Sequence, residues 1–246
     1  MAQLVLKVVN TWMETPTIQV ISLNLAGEKF TFKPGQYALV ELKIKQVVAG
    51  GSVGADAGGP WDDHAFSIAC APNTEYLEFA TRKSDSDYKK AFVALVKGDE
   101  VKVSGPLGNF TLDPIAKSVC FLSGGIGITP IRSMVQFATQ QKLNMPITLL
   151  FGNRNPSEIP FKAELDGLQK QNPNLKVVHV VSEGDAKWTG AVGRIDAELI
   201  KNHSRIDTDT YYICGPPGMV DSLTNTLKTL NVAEERIKIE YFTGYK

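Results

Sequence analysis

The chain has 246 residues, 43% of them hydrophobic and 21% charged, a globular composition at a length that favours two compact units and excludes a mostly disordered chain. Its 26 Lys+Arg balance 26 Asp+Glu, so a general nucleic-acid or anionic-membrane binder, which must neutralise many phosphates, is disfavoured. Cys70, Cys120 and Cys214 lie too far apart for a CxxC pair, an iron–sulfur quartet or a disulfide framework, and His64, His179 and His203 show no zinc spacing. The first residues lack a basic segment followed by an apolar one, and no run approaches the ~20 apolar residues of a membrane span. A cytoplasmic, reducing setting is expected.

In chain order, the first half reads as strands. Residues 17–25 form one candidate, and Val40, Leu42 and Ile44 alternate with Glu41, Lys43 and Lys45 as in a half-buried antiparallel strand. Residues 47–63 are rich in glycine and read as a surface loop. Leu77, Phe79 and Thr81 alternate with Glu78 and Arg82, and Tyr88, Phe92, Leu95 and Val96 keep helical spacing over residues 86–96. Another strand is expected at 100–104, and Gly27, Pro34-Gly35 and Gly105-Pro106 punctuate the series. Short strands with turn signals suggest a barrel or sandwich.

The second half changes character. Residues 119–123, 147–152, 175–182, 210–214 and Ile237–Tyr241 are short apolar runs separated by helix-length segments. Such runs suit parallel strands covered on both faces, hence a doubly wound α/β sheet. Asp113-Pro114 interrupts both patterns, which places the division at 1–113 and 114–246.

The sharpest local feature is Ser123-Gly124-Gly125-Ile126-Gly127-Ile128-Thr129-Pro130, directly after the first α/β strand. Thr129 is a suitable N-cap and Pro130 suits the first helical position, so a helix should open here with free N–H groups facing a glycine turn. That is a diphosphate site in waiting, although a tight turn that binds nothing has the same local sequence. It is neither a G-x-G-x-x-G fingerprint nor a P-loop. A second strand–turn–helix, Tyr212-Ile213-Cys214-Gly215-Pro216-Pro217-Gly218-Met219, would face the same crevice, because ligands of open α/β sheets bind beyond the carboxyl ends of the strands. Cys214 taken alone reads equally as a small buried hydrophobe.

Six segments occur in order: Phe32-Lys-Pro-Gly-Gln-Tyr37, His64-Ala-Phe-Ser-Ile-Ala69, Gly105-Pro-Leu-Gly-Asn-Phe110, the Gly124–Pro130 turn, Cys214-Gly-Pro-Pro-Gly-Met219 and Glu240-Tyr-Phe242. Together they resemble the ferredoxin–NADP reductase-like flavoprotein family over essentially the whole chain. The resemblance implies an antiparallel flavin-binding β-barrel followed by a doubly wound parallel-sheet domain for the nicotinamide nucleotide. Ser67 is similar to the serine near flavin N5, Phe66 to the aromatic residue that packs on the flavin, and Ile68 continues this flavin-binding segment. Gly124, Gly125, Gly127, Thr129 and Pro130 would hold the diphosphate and neighbouring ribose of the dinucleotide. Cys214, Gly215, Pro216 and Met219 would border the nicotinamide, with Ser67, Cys214 and Glu240 at the site of hydride transfer. Phe242 or Tyr245 resembles the aromatic residue covering the flavin.

Two departures stand out. The family's diphosphate-binding arginine is replaced by His64, which as a neutral imidazole cannot make a bidentate contact. The phosphate turn reads Thr81-Arg82-Lys83-Ser84-Asp85-Ser86, in which Arg82 or Lys83 would supply charge and Ser86 would cap the next helix. The resemblance therefore implies an NAD(P)H-dependent flavoprotein reductase using FAD in preference to FMN and passing electrons to an unidentified acceptor, such as a redox protein. The alternative is a nucleotide-binding or electron-relay subunit with weak or absent flavin binding. Arg154 is a candidate for a nucleotide 2′-phosphate, but Glu183 places an acid nearby, which favours NADH over NADPH. No nucleic-acid partner and no membrane span are expected.

Overall fold

The computed structural model describes residues 2–43 and 61–243. Its first half builds an antiparallel sheet from β1 (Ala2–Thr15), β2 (Ile18–Asn24), β3 (Tyr37–Lys43), β4 (Trp61–Ser67), β5 (Tyr76–Arg82) and β6 (Glu100–Leu107), in the order β4-β3-β6-β1-β2-β5. The sheet curls until its edge strands β4 and β5 touch, and α1 (Asp87–Val93) packs against β3 and β5. Tyr88 and Phe92 of α1 are buried in the barrel core with Val40, Leu42, Phe79 and Val103. Ser86 caps this helix by accepting the Lys89 amide N–H at 3.4 Å. The helix ends before Val96, which is 58% exposed, so only part of the expected apolar face is used.

The period-2 reading of β3 holds: Ala38, Val40 and Leu42 are buried, while Ile44 lies outside the described residues, as does most of the expected 47–63 loop. In β5 the alternation of the sequence does not translate into an exposed face. Glu78 is only 7% exposed, because a helix from the second half covers that side of the strand.

The second half forms a parallel sheet of β7 (Val119–Gly124), β8 (Ile147–Asn153), β9 (Leu175–Val181), β10 (Ala191–Val192), β11 (Thr210–Gly215) and β12 (Ile237–Tyr241), ordered β10-β9-β8-β7-β11-β12. Helices α2 (Ile128–Gln140) and α3 (Lys162–Gln171) cover one face; α4 (Ala197–His203) and α5 (Pro217–Thr229) cover the other. In β7, Val119 and Phe121 enter the first core and Cys120 and Leu122 the second. A strand buried on both faces reads as a continuous apolar run, which is why these strands were legible.

The first of these cores also takes in Ile18, Val20 and Ala80 of the barrel, so the two sheets share apolar packing. Arg132 of α2, 5% exposed, reinforces the junction. Its guanidinium donates to Glu78 of β5 at 2.6 Å, to the Ala69 carbonyl at 2.9 Å and to Glu164 of α3 at 2.8 Å, and lies 4.4 Å from the Phe161 ring centroid. Next to it, the Ser133 hydroxyl donates to the Cys70 carbonyl at 2.6 Å and Gln136 accepts the Ala71 N–H at 2.7 Å. One stretch of α2 thus holds two barrel segments, residues 69–71 and Glu78, by hydrogen bonds.

Candidate active site

The strand order reverses between β7 and β11, and at the carboxyl ends of these strands a cleft of about 1060 Å³ separates the two sheets. The glycine turn after β7 forms its floor. Gly124 and Gly125 line the cleft; Gly125 has φ +54°, a left-handed conformation that favours glycine. Gly127 does not line it and has a different use. A Cβ there would stand 2.5 Å from the Cys214 carbonyl oxygen and 2.8 Å from Gly215 Cα, so its absence lets the two phosphate-side turns touch.

Helix α2 begins differently from expectation. A 3-10 turn over Gly125–Gly127 precedes it, Gly127 occupies the N-cap position, and no side chain caps the helix. Thr129 is no cap: its hydroxyl donates to the Ile126 carbonyl at 3.1 Å, while the residue borders the cleft. Pro130 falls at the third helical position, still within the turn where N–H groups lack helical partners, and is buried beneath the cleft wall.

The second turn supplies Pro216 and Met219 to the lining, while Cys214 and Gly215 lie behind it. Cys214 is fully buried; its carbonyl accepts the Ser123 hydroxyl at 3.2 Å, and its strand pairs Cys214 with Glu240 of β12. Burial first, and the Glu240 charge second, push its thiol well above the ordinary range, so it stays protonated at physiological pH. Glu240 and Phe242 reach the cleft, and the Phe242 N–H donates to the Gly215 carbonyl at 2.9 Å, tying the tail to the turn. Tyr245 lies outside the described residues.

On the barrel side Phe66 and Ser67 line the cleft, with Phe66 stacked on Phe92 at 5.3 Å and 22°. Ile68 is fully buried and does not reach it. His64 does not line the cleft either. Its ring lies 3.9 Å from that of Tyr88, and Nε2 is 3.4 Å from Asp62. Strand alternation puts positions 64 and 66 on the α1 side together, and of the two Phe66 is the one that lines the cleft. On the barrel side the cations that face the cleft are Arg82 and Lys89. Arg82 donates to the Thr17 hydroxyl at 2.6 Å and to Glu158 at 3.2 Å across the two halves; Thr17 in turn donates to Glu158. Burial, and then the positive charge of Arg82, hold the Lys89 amine below its ordinary value. Ser86 serves α1 and is not part of the lining.

Sequence reasoning missed Tyr37 and Lys89. Tyr37 closes the Pro-Gly-Gln-Tyr motif, so its signal was present; Lys89 becomes visible only once α1 is docked. At the outer end of the nucleotide side stand Asn153, Arg154, Ser182 and Arg194. Arg154 bonds Glu183 through Nε at 3.0 Å, on the surface.

Comparison with known proteins agrees with this geometry. Residues 121–225 match the oxidoreductase NAD-binding domain. NADH-cytochrome b5 reductase 1 of Dictyostelium discoideum is 35% identical over 144 residues, covering 57% of this chain and 50% of the relative. The flavohem-like FAD/NAD binding domain of nitric oxide dioxygenase from Vibrio cholerae superposes with a TM-score of 0.82 at 22% identity, over 97% of this chain and 98% of that one. A ferredoxin NADP+ reductase from Neisseria gonorrhoeae gives 0.81 at 20% identity, over 98% and 99%. The chain shares its two-domain fold with these structures. This reductase-like chain spans about half the length of the curated relatives it matches. Its barrel and doubly wound sheet are those of that shared fold. No helix among the described residues is long and apolar enough to cross a membrane.

Glu240 gives the reductase-like chain a pH signature. Burial raises its carboxyl above the ordinary value of 4.5, so the folded state disfavours the carboxylate. The stability associated with the protonated form is complete below the ordinary value and is lost as pH rises through the folded one. Glu240→Gln, uncharged throughout, is expected to melt higher than the parent at pH 7 and level with it near pH 4. A lower melting temperature at pH 7 would mean that the carboxylate is held by a favourable contact.

Proposed function

We propose that this chain is a flavin-dependent NAD(P)H oxidoreductase, transferring hydride between the nicotinamide nucleotide and bound FAD and passing electrons onward to a separate redox protein. The observation that carries this reading is a single cleft with two glycine turns of an NAD-binding domain on one wall and the Phe66–Ser67 segment on the other. Two of the structural relatives are named for FAD together with NAD or NADP.

The barrel wall suits a flavin nucleotide. Tyr37 and Phe66 offer aromatic surface for a planar ring, and Ser67 a hydroxyl beside it. Arg82 and Lys89 put two cations on one wall against the single carboxylate of Glu158, an excess that a diphosphate would balance and that takes over the task of the missing arginine at His64. His64 then acts behind the site, through Tyr88 and α1. When bound, the flavin supplies two-electron acceptance and single-electron release.

The chain's own part is placement and exclusion of water. The turns at Gly124–Gly127 and Gly215–Met219 would hold the dinucleotide so that its nicotinamide meets the barrel wall, making the transfer effectively intramolecular. The Cys214 thiol, kept protonated by burial, adds no negative charge behind the nicotinamide. Glu240 is the lateral strand partner of Cys214, and Phe242, tethered to Gly215, would cover the flavin side of the cleft. The functional division would fall at 113/114. Three buried, unpaired cysteines favour a reducing, cytoplasmic setting.

The Arg154–Glu183 pair supports NADH as donor, since the carboxylate occupies the cation a 2′-phosphate would need. The purified protein is expected to show the absorption bands of oxidised flavin and to lose them on anaerobic mixing with NADH, with kcat/KM at least tenfold above that for NADPH. A protein that remains colourless after incubation with FAD would overturn the flavoenzyme reading in favour of a nucleotide-binding or relay subunit. A tenfold advantage for NADPH would overturn the donor preference alone.

A further inference from the structure

Tyr212 of β11 is fully buried, and its hydroxyl meets three partners. It accepts the Asp113 N–H at 3.0 Å and the Lys238 amine of β12 at 3.1 Å, and it donates to the Thr111 carbonyl at 3.2 Å. One oxygen therefore joins two strands of the nucleotide sheet to residues 111–113, the segment that leads from the barrel into that sheet. The ring below it packs edge-on against Phe110, with centroids 5.6 Å apart at 75°. We propose that Tyr212 is a positioning residue for hydride transfer: by fixing this segment to the nucleotide sheet, its hydroxyl sets the separation of the two cleft walls. The proposal rests on the flavin-dependent reading above.

The contacts run from wall to wall. On the barrel side the Leu112 N–H donates to the Pro34 carbonyl at 3.3 Å, and Gln36 donates through Nε2 to the Gly108 carbonyl at 3.1 Å. Between them Gly35 has φ +99°, and a Cβ there would collide with the Phe110 carbonyl oxygen, so the segment lies directly on the Pro34–Tyr37 turn. That turn holds the proposed flavin wall. The Gln36 carbonyl accepts the Ile68 N–H at 3.0 Å, and Tyr37 is the strand partner of Ser67, both of them lining the cleft. On the nucleotide side, Tyr212 stands two residues before Cys214 on the same face of β11, where its register partner in β12 is Lys238 and that of Cys214 is Glu240.

Hydride transfer makes this tie matter. The reacting atoms must stand about 3–3.5 Å apart, and a misplacement near 1 Å costs on the order of 10²-fold in rate. Apolar packing between the sheets opposes their separation but is non-directional, so it resists sliding weakly. Hydrogen bonds are directional and fix one wall against the other. Arg132 already attaches α2 to the barrel at Ala69 and Glu78. The Tyr212 hydroxyl is a second attachment, on other residues, and it removes the rotation that one attachment alone would permit.

The test compares Tyr212→Phe with Tyr211→Phe in the full chain loaded with FAD. Tyr211 is equally buried, but its hydroxyl bonds Ser204 in the core on the opposite face of the sheet, away from the linking segment. Both variants keep their rings and are expected to bind FAD and to melt a few degrees below the parent. In anaerobic stopped flow at saturating NADH, Tyr212→Phe should reduce its flavin about tenfold more slowly, with the half-saturating NADH concentration within about twofold of the parent. Tyr211→Phe should match the parent in both. A second readout needs no cofactor. Spin labels at Glu28→Cys and Lys170→Cys, exposed positions on the two halves, report their separation in the flavin-free protein, where the native cysteines are buried. The distance distribution should broaden in Tyr212→Phe and stay narrow in Tyr211→Phe. Equal slowing in the two variants, weaker NADH binding in place of slower reduction, or an unbroadened distribution would each overturn the proposal. A parent that takes up no flavin overturns the flavoenzyme reading and the proposal with it, whereas equally fast reduction in the parent and in Tyr212→Phe overturns the proposal alone.

Discussion

Gly127→Ala is expected to lower kcat/KM for NADH about 100-fold while leaving the protein folded. The added methyl would stand 2.5 Å from the Cys214 carbonyl oxygen and 2.8 Å from both the Cys214 carbonyl carbon and Gly215 Cα. These are backbone atoms of a strand hydrogen-bonded on both sides, by β7 and β12, so they cannot move aside as a side-chain tip would. Either the start of α2 or the Gly215 turn must shift, and both belong to the proposed nucleotide site. Overpacking of this kind costs roughly 1–3 kcal/mol of stability, which a chain of this size tolerates, whereas a displacement near 1 Å at a positioning element costs on the order of 10²-fold in rate. Gly167→Ala is the control. Gly167 lies within α3 with open space around its Cβ position, so the substitution should stabilise slightly and leave the kinetics alone. Steady-state kinetics and thermal melts on the two variants decide the matter; unchanged NADH kinetics in Gly127→Ala would show that contact between the turns is dispensable.

Arg132→Met is expected to produce the largest stability loss, about 3–5 kcal/mol, or roughly 6–20 °C in melting temperature. Burial opposes the charge of Arg132, but Glu164 and Glu78 more than compensate and raise its pKa, so the guanidinium is firmly charged. Removing it strands the Glu78 carboxylate, 7% exposed, and leaves the Ala69 carbonyl without its donor. The cost comes from the abandoned partners more than from the lost attraction. The double variant Arg132→Met, Glu78→Gln should therefore recover a substantial part of the loss. If it is no more stable than Arg132→Met alone, the stranded carboxylate is not the cause. The same variant separates stability from function: Arg132 lies outside the cleft lining, so the protein that remains folded at low temperature should still bind nucleotide.

Strands β7, β8 and β11 were legible because each is short, largely apolar and covered on two faces, whereas β9 and the edge strand β12, which carry Lys176, Lys238 and Glu240, were legible by their spacing along the chain. The glycine turns were legible because only glycine meets their backbone and contact requirements. By contrast β1, the longest strand, was missed: Leu4, Leu6 and Val8 alternate with exposed Gln3, Val5 and Lys7, but the apolar Val5 blurs that pattern and a register shift between Val8 and Asn10 interrupts it. The role of Thr129 was misplaced because a 3-10 turn moved the helix start two residues toward the N-terminus, and capping rules presume the start they are used to find.

Local sequence determined what each segment could be: the paired glycine turns, the doubly buried strands, the aromatic tail and the motif order that carries the family resemblance. These properties depend on backbone permissiveness and on residue type, which are carried by neighbours along the chain. Only the tertiary structure decided which charges meet. Arg82 finds Glu158, Arg132 finds Glu78 and Glu164, and His64 turns to Tyr88 while Lys89 enters the cleft. Each of these pairings joins elements far apart in sequence, and its strength depends on burial and distance, quantities that exist only after the two sheets have packed. The hydroxyl of Tyr212 is the same kind of fact, since a tyrosine in a buried strand is ordinary until the packed structure brings Thr111, Asp113 and Lys238 to its oxygen.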